Sequence, residues 1–434
     1  SGYATHGEYA VITTGADDVF RVYLVRTAEL PRCIFETPEY LKLQGLSPDG
    51  AFILMQSGHA LDALHPAQLV LDLQGFKIRE ITGYDGVIGC WSGVWSPISG
   101  DHQIVVHFEH TGYAKPAIWC PISNELQIID CPLSGEVWAT WDRTGKSLLL
   151  TRHQQGRSDL HRWYLEDSRM ELLQPLDGTI FSSETNSDDR VTGIWSGSGS
   201  YAQAFLDSTR LPVPDFKPSR PLAPWEYREI VGVPCFLARP SGQSRPYAKT
   251  VIEVYGGFGF HHVDCYNAKI QSLVDHGFLV VLVNTRGCNG FGRAWRDATL
   301  ADIGHTELKD VARVREVLVN AGEMVDDCSI ISGDSWGGYM ALLAMGTQPS
   351  LWRAALAGVP VGDFEKAYSE ATPLIRAFNR VQFGGTPQTH PSAYHRASPL
   401  AYVDAITAPV MMLVGKHDCL CPPGQNRRYQ CALK

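Results

Sequence analysis

The sequence predicts two regions of different class: an all-β, propeller-like domain over residues 1–225, then an α/β domain over residues 226–434. Three observations predict it. Turns marked by Trp and Gly recur through the first half at intervals of 46 to 54 residues. Apolar strand-like runs alternate with helix-like periodicity in the second half. A Gly-x-Ser-x-Gly turn stands between one such strand and one such helix.

The repeat in the first half has an apolar or Trp residue, then Ser or Asp, a Gly a few residues on, and an apolar run. It occurs at Leu46-Ser47 with Gly50, at Trp95-Ser96 with Gly100, at Trp141-Asp142 with Gly145, and in a weaker copy at Trp195-Ser196 with Gly199. A period near fifty residues, with several short strands per unit, is the mark of propeller blades. A β-sandwich with Trp-rich turns is the other reading. At this period 225 residues supply four or five blades, so the propeller is expected to be incomplete. The Pro-rich stretch Leu211–Pro224 is the expected boundary.

In the second half, Lys249–Tyr255 reads as a strand running into Gly256-Gly257-Phe258-Gly259, and Phe278–Asn284 as a second buried strand. Thr306–Leu318 carries apolar residues at helical spacing. Cys328–Ser332 reads as a strand that enters Gly333-Asp334-Ser335-Trp336-Gly337-Gly338, followed by a helix over Tyr339–Met345. This is the strand–turn–helix setting of a nucleophile elbow. Side chains two residues either side of the serine would collide with the neighbouring strand or helix, and Gly333 and Gly337 remove them. Ser335 is left at the tip, over the positive end of the following helix. Bare Gly-x-Ser-x-Gly is a weak signal; its context makes the α/β domain a catalytic domain of the α/β-hydrolase class, with Ser335 as nucleophile. The alternative for Ser335 is a structural turn residue.

Ala354–Gly358 and Val410–Val414 read as the next strands. The second ends in Gly415-Lys416-His417-Asp418. In this class the order along the chain is Ser, acid, His, so Asp418 is the expected orienting carboxylate. Asp363 and Asp334 fit less well, one after the preceding strand and one inside the elbow.

Bulk properties bound the rest. The chain has 434 residues, a net charge of −9, 44% hydrophobic and 19% charged residues. No Lys/Arg-rich run offers the phosphate contacts that nucleic-acid binding needs. The longest apolar stretch, near Phe278–Val283, is far short of the ~20 residues that span a bilayer. No membrane or nucleic-acid partner is therefore expected. No secretory signal is visible, and the opening Ser1 suggests a processed or trimmed start. The 11 cysteines, odd in number and scattered, do not form a disulfide framework. Cys419 and Cys421 lack a second pair at zinc spacing. No metal and no cofactor is expected, and a reducing, cytoplasmic setting fits.

The second half resembles the prolyl oligopeptidase family of serine peptidases, especially its acylaminoacyl-peptidase-like branch. The matching residues are Val254-Tyr255-Gly256-Gly257, Asn284-Thr285-Arg286-Gly287 with Gly290-Phe291-Gly292, Gly333–Gly338, Phe383-Gly384-Gly385, Ser398-Pro399-Leu400, Ala408-Pro409-Val410, and Gly415–Asp418 with Pro422. They follow the family's order over about 180 residues and are together far more specific than any one motif. The resemblance implies a propeller in front, usually of seven blades. It also implies an oxyanion hole made by the Tyr255 hydroxyl and the backbone N–H of Trp336. Fixed donors of that kind stabilise the developing negative charge by roughly 2.7–4 kcal/mol each. A core aromatic is the other reading of Tyr255.

One departure from the family's pattern concerns the base. The catalytic His is implied roughly thirty residues past the acid, after one more strand. Sixteen residues follow Asp418 and none is His. A serine nucleophile needs a general base. His417 adjoins the acid in a tight turn, and His390 and His395 precede it. The expectation is a chain cut short of its natural end. The leading activity is hydrolysis of short peptides through an acyl-enzyme on Ser335, with the propeller restricting access. An esterase or acyl-transfer enzyme of the same fold is an alternative, as is a catalytically dead binding module. The sequence leaves the oligomeric state open.

Overall fold

The computed structural model describes residues 2–16, 18–58, 65–211, 221–255, 259–300 and 302–434. Most of the Pro-rich boundary stretch, and Gly256-Gly257-Phe258, lie outside these residues.

The first half is a series of four-stranded antiparallel sheets. They comprise β1–β4 (Gly2–His6, Tyr9–Ala16, Val19–Arg26, Arg32–Thr37) and β5–β8 (Leu41–Leu46, Phe52–Ser57, Ala67–Asp72, Lys77–Ile81). A two-stranded ribbon, β9–β10 (Gly83–Tyr84, Val87–Ile88), leads to β11–β14 (Trp91–Trp95, Ile104–Phe108, Lys115–Trp119, Leu126–Ile128). Then come β15–β18 (Glu136–Trp141, Ser147–Gln154, Arg157–Tyr164, Met170–Gln174) and β19–β22 (Thr179–Thr185, Val191–Gly197, Ser200–Leu206, Thr209–Arg210). Each of these four-stranded sheets pairs its strands in sequence order. Successive sheets pack face to face through separate apolar clusters, such as Val11, Val22, Ile53 and Leu71 between the first two.

The repeat marks the turn between first and second strands in three of these sheets, after Leu46, Trp95 and Trp141. Its physical content is a side-chain bridge across the turn. Ser47 Oγ donates to Asp49 (2.6 Å), Ser96 Oγ to Asp101 (2.7 Å), and Ser147 Oγ to Asp142 (2.8 Å). Trp141 Nε1 donates to the Val94 carbonyl of the preceding sheet at 3.1 Å. The weaker copy at Trp195 is out of phase. It lies on β20, and the equivalent turn of that sheet is closed instead by Asn186, whose Oδ1 accepts from the backbone N–H of Asp188 and Arg190.

The second half is one seven-stranded sheet in the order β23-β24-β26-β25-β27-β28-β29. Its strands are Glu226–Ile230, Val233–Ala238, Thr250–Val254 (β25), Leu279–Val283 (β26), Ser329–Asp334 (β27), Ala354–Gly358 (β28) and Val410–Leu413 (β29). From β26 to β29 all pairings are parallel. β24–β28 are apolar almost throughout, as befits strands covered on both faces. Helices α1 (Ala268–Asp275), α2 (Arg293–Asp297), α3 (His305–Asn320) and α4 (Trp336–Thr347) connect the strands. After β28 come α5 (Phe364–Glu370), α6 (Pro373–Phe383), α7 (Pro391–Ala397) and, past β29, α8 (Pro423–Leu433). α4 is apolar all round and buried from Gly337 to Gly346, which makes it the axis of the large core.

The halves are tied by ion pairs and backbone bonds. Arg296 of α2 meets Glu109 in a two-pronged buried pair at 2.5 and 3.0 Å. Glu136 of β15, also buried, accepts the N–H groups of Gly290 (3.1 Å) and Gly292 (3.4 Å). Arg157 reaches Asp264 at 2.7 Å, and Asp18 reaches Arg376 at 3.1 Å.

Candidate active site

Parallel strands point their carboxyl ends the same way, so β25, β27, β28 and β29 deliver their following loops to one edge of the sheet. Ser335 stands there between β27 and α4. Its backbone is left-handed, with φ 54° and ψ −112°. A non-glycine residue so held costs of order 1–3 kcal/mol, and the surroundings must over-determine it. Here the Ser335 N–H donates to the Gly358 carbonyl at 2.8 Å, and its own carbonyl accepts from Tyr339 at 2.9 Å. The glycines flanking it are sterically required. A Cβ on Gly333 would lie 2.6 Å from the Gly337 carbonyl carbon, and one on Gly337 would overlap the Val254 carbonyl oxygen. Gly338 has the same relation to the Gly358 carbonyl, at 2.5 Å.

Ser335, Trp336 and Tyr255 are brought together. Tyr255 follows β25, beside the elbow, and lines a small cavity of about 10 Å³ with Trp336, Cys288 and Glu307. Its ring stacks on the exposed Phe260 and meets His262 edge-on at 5.3 Å. Burial pushes the Tyr255 phenol well up, so it is a proton donor at neutral pH. His262 is pinned with its Nε2 3.2 Å from the Glu253 carbonyl and its N–H on Asn284 Oδ1 at 2.7 Å. Burial lowers it to about 3, which keeps the ring neutral.

Asp418 follows β29, half-buried. Its Oδ1 accepts the N–H groups of Leu420 (2.9 Å) and Cys421 (2.8 Å). That loop carries Cys421 Sγ to 3.9 Å from Ser335 Oγ. Asp418 thus shares a loop with the atom that touches Ser335. His417, next to it, is exposed. His390 points to Thr389 Oγ1 (3.0 Å), on the α6–α7 connection. Asp363 caps α5 and pairs with Arg428 at 2.8 Å, a structural use of its carboxylate. Among the described residues no group of His, Cys, Asp and Glu is arranged to hold a metal ion.

Sequence reasoning missed two features. Cys421 gave no signal as a neighbour of Ser335, because the loop between Asp418 and Pro422 has no regular period. The cluster of Glu253, Lys269 and Asp334 beneath the elbow combines residues from three separate elements; only the Glu in an otherwise apolar strand hinted at it.

A serine held in a strained strand–helix turn, with glycines clearing the space around it at the carboxyl edge of a mostly parallel sheet, has the geometry of a nucleophile elbow on an α/β-hydrolase-like fold. Residues 264–434 match the prolyl oligopeptidase family. The chain is 24% identical over 210 residues to acylamino-acid-releasing enzyme 1 of rice (Oryza sativa subsp. japonica), a match covering 46% of this chain and 26% of that enzyme. It is 25% identical over 189 residues to the human acylamino-acid-releasing enzyme, covering 42% and 26%. The match thus spans about a quarter of each curated relative. Among solved structures, a Mycobacterium tuberculosis puromycin-hydrolyzing peptidase superposes with a TM-score of 0.80 at 17% identity, covering 98% of this chain and 71% of that one. An acylaminoacyl peptidase superposes with a TM-score of 0.65 at 15% identity, covering 98% and 80%. These likenesses establish a shared fold across both halves.

Proposed function

We propose that the protein is a serine peptidase acting on short peptides, with Ser335 as nucleophile, Asp418 as orienting acid, and Tyr255 and the Trp336 N–H as oxyanion donors. The observation that carries it is the left-handed Ser335 between β27 and α4. Ser335 attacks the carbonyl carbon and gives up its proton to a base; the leaving amine takes a proton, and water later cleaves the acyl-enzyme. The names of the relatives support a peptide substrate.

The chain divides near residues 225 and 226 in this proposal, since Glu226 opens the seven-stranded sheet. The preceding sheets are blades of a propeller that covers the site and restricts access. β29 is the edge strand of the sheet among the described residues. Met411 and Leu413 there are 57% and 63% exposed, and a groove of about 610 Å³ runs between β29 and α8. A sheet face so apolar is normally covered. A reducing compartment also belongs to this proposal, because all eleven cysteines are unpaired. Among the described residues no helix is long and apolar enough to cross a membrane.

The test is Ser335→Ala in the whole protein, assayed on a panel of peptides and esters, with fluorophosphonate labelling of both forms. Labelling and peptide hydrolysis are expected in the wild type and neither in the variant. Hydrolysis surviving in the variant, or no labelling of the wild type, overturns the assignment.

A further inference from the structure

Beneath the elbow, on the face of the sheet covered by α1, lies a carboxylate where an aliphatic residue would be expected. Glu253 sits in the middle of β25, and its side chain is only 7% exposed. Its neighbours in the sheet are Leu282 on β26 and Ser332 on β27. Leu282, Phe236 and Val280 form the apolar cluster that α1 covers. An ionised carboxylate in such a place is costly unless it is paired.

Its partner is Lys269 of α1, whose Nζ lies 2.6 Å from Glu253 Oε1 and 3.2 Å from Asp334 Oδ2. Asp334 immediately precedes Ser335. Its carboxylate lies so close over Gly358 that a Cβ there would overlap Oδ1. Gly358 is also the residue whose carbonyl fixes the Ser335 N–H. One ammonium therefore joins β25, which leads to Tyr255, to the end of β27, which leads to Ser335.

We propose that Lys269 is a positioning residue for Ser335, bridging Glu253 and Asp334 so that β25 and the turn before Ser335 are held together and the negative charge beside the elbow is reduced. This rests on the serine-hydrolase assignment above. The charged and titratable groups facing Lys269 are Glu253 from β25, Asp334 from the end of β27, and His262 from the loop after β25. Burial works against the Lys269 charge, but the two carboxylates outweigh it and hold the ammonium above its usual range. Burial pushes the Glu253 carboxyl up, against the pull of Lys269. Without Lys269, burial pushes the Glu253 carboxyl up with nothing to oppose it, and the Asp334 carboxylate next to the nucleophile loses its bridging cation. That charge disfavours the oxyanion and raises the pKa of a nearby base.

The experiment compares wild type, Lys269→Met, Lys269→Arg and Lys269→Met/Glu253→Gln in the whole protein. Lys269→Met is expected to lower kcat by about 10-fold or more with KM within about two-fold, because the loss is felt in the transition state. It should also move the acid limb of kcat/KM to higher pH. Lys269→Arg should restore most of kcat. An unchanged kcat, or a lower kcat with an unmoved pH profile, overturns the proposal.

A second measurement is independent of turnover. In Lys269→Met the folded pKa of Glu253 is raised above its unfolded value. Stability is therefore present at low pH and is lost as pH rises from about 4.5 upward. The melting temperature of Lys269→Met should fall by at least about 3 °C between pH 5 and pH 8 relative to wild type. The double variant should not show that fall. Equal slopes in the single and double variants overturn the pairing. A wild type that neither turns over nor labels defeats the hydrolase assignment instead.

Discussion

The two halves of the molecule are stabilised in different ways. In the first, each sheet closes on strands adjacent in sequence, and its apolar contacts divide into separate clusters between neighbouring sheets. In the second, β25 lies between β26 and β27, and a large apolar cluster runs from Ile230 to Tyr429 beside a smaller one under α1. A change in the first half is felt locally. A change near β25 or α4 is felt at Ser335, because those elements fix its backbone. The difference explains why the strained turn at Ser335 stands in the second half: a strained residue needs an environment that over-determines it.

The contacts between the halves offer the sharpest way to break that comparison. Arg296→Met leaves Glu109 buried and unpaired, and is expected to cost about 3–5 kcal/mol by denaturant unfolding. Replacing both partners with apolar residues should cost far less. If the single variant is neutral, the halves are coupled by something other than this pair.

The next effect in size lies within the second half. Tyr255→Phe should lower kcat by about 100-fold with little change in KM, since in the proposed mechanism the hydroxyl acts on the oxyanion and not on the bound substrate. Steady-state kinetics on the whole protein checks this. An unchanged kcat would make Tyr255 a packing residue, and the contrast between the halves would then rest on Ser335 alone.

In the first half the expected effects are smaller. Trp141→Phe removes the hydrogen bond to the Val94 carbonyl and should cost about 1 kcal/mol in equilibrium unfolding. Activity should be unchanged. A loss of activity would show that the sheets are not as independent as their separate clusters imply.

The smallest effect is on pH dependence at the interface. Burial alone would raise the Asp297 carboxyl, but a hydrogen bond from His65 and the charge of Arg296 override it and hold it at about 2. Its unfolded value is near 4. A depressed folded pKa means stability present above about pH 4 and lost as pH falls toward 2. Asp297→Asn should flatten the fall of the melting temperature over that window. An unaltered slope would place the acid sensitivity elsewhere.

The sequence placed β25–β29, α3 and α4 to within three residues at each end, because buried strands and an amphipathic helix impose composition and period directly; β23, β24, α1, α2 and α5–α8 were not read from it. The elbow was legible for a steric reason: no other residue type clears Gly337 past the Val254 carbonyl. The blade-like turns were legible where Ser and Asp bridge them, at Ser47, Ser96 and Ser147. They were misplaced at Trp195, where a different device, Asn186, closes the turn.

Local pattern by itself therefore determined the class of each half and the turn that bears Ser335. Only the tertiary structure decided what surrounds that turn. Lys269 reaches Glu253 and Asp334 from a separate helix, Cys421 comes within reach of Ser335 from 86 residues further on, and Glu136 holds the Gly290 loop from more than 150 residues away. A steric requirement within a few residues is written in the residues themselves. A charge or a thiol placed by the docking of distant elements leaves no period, because what selects it is the neighbour it meets in space.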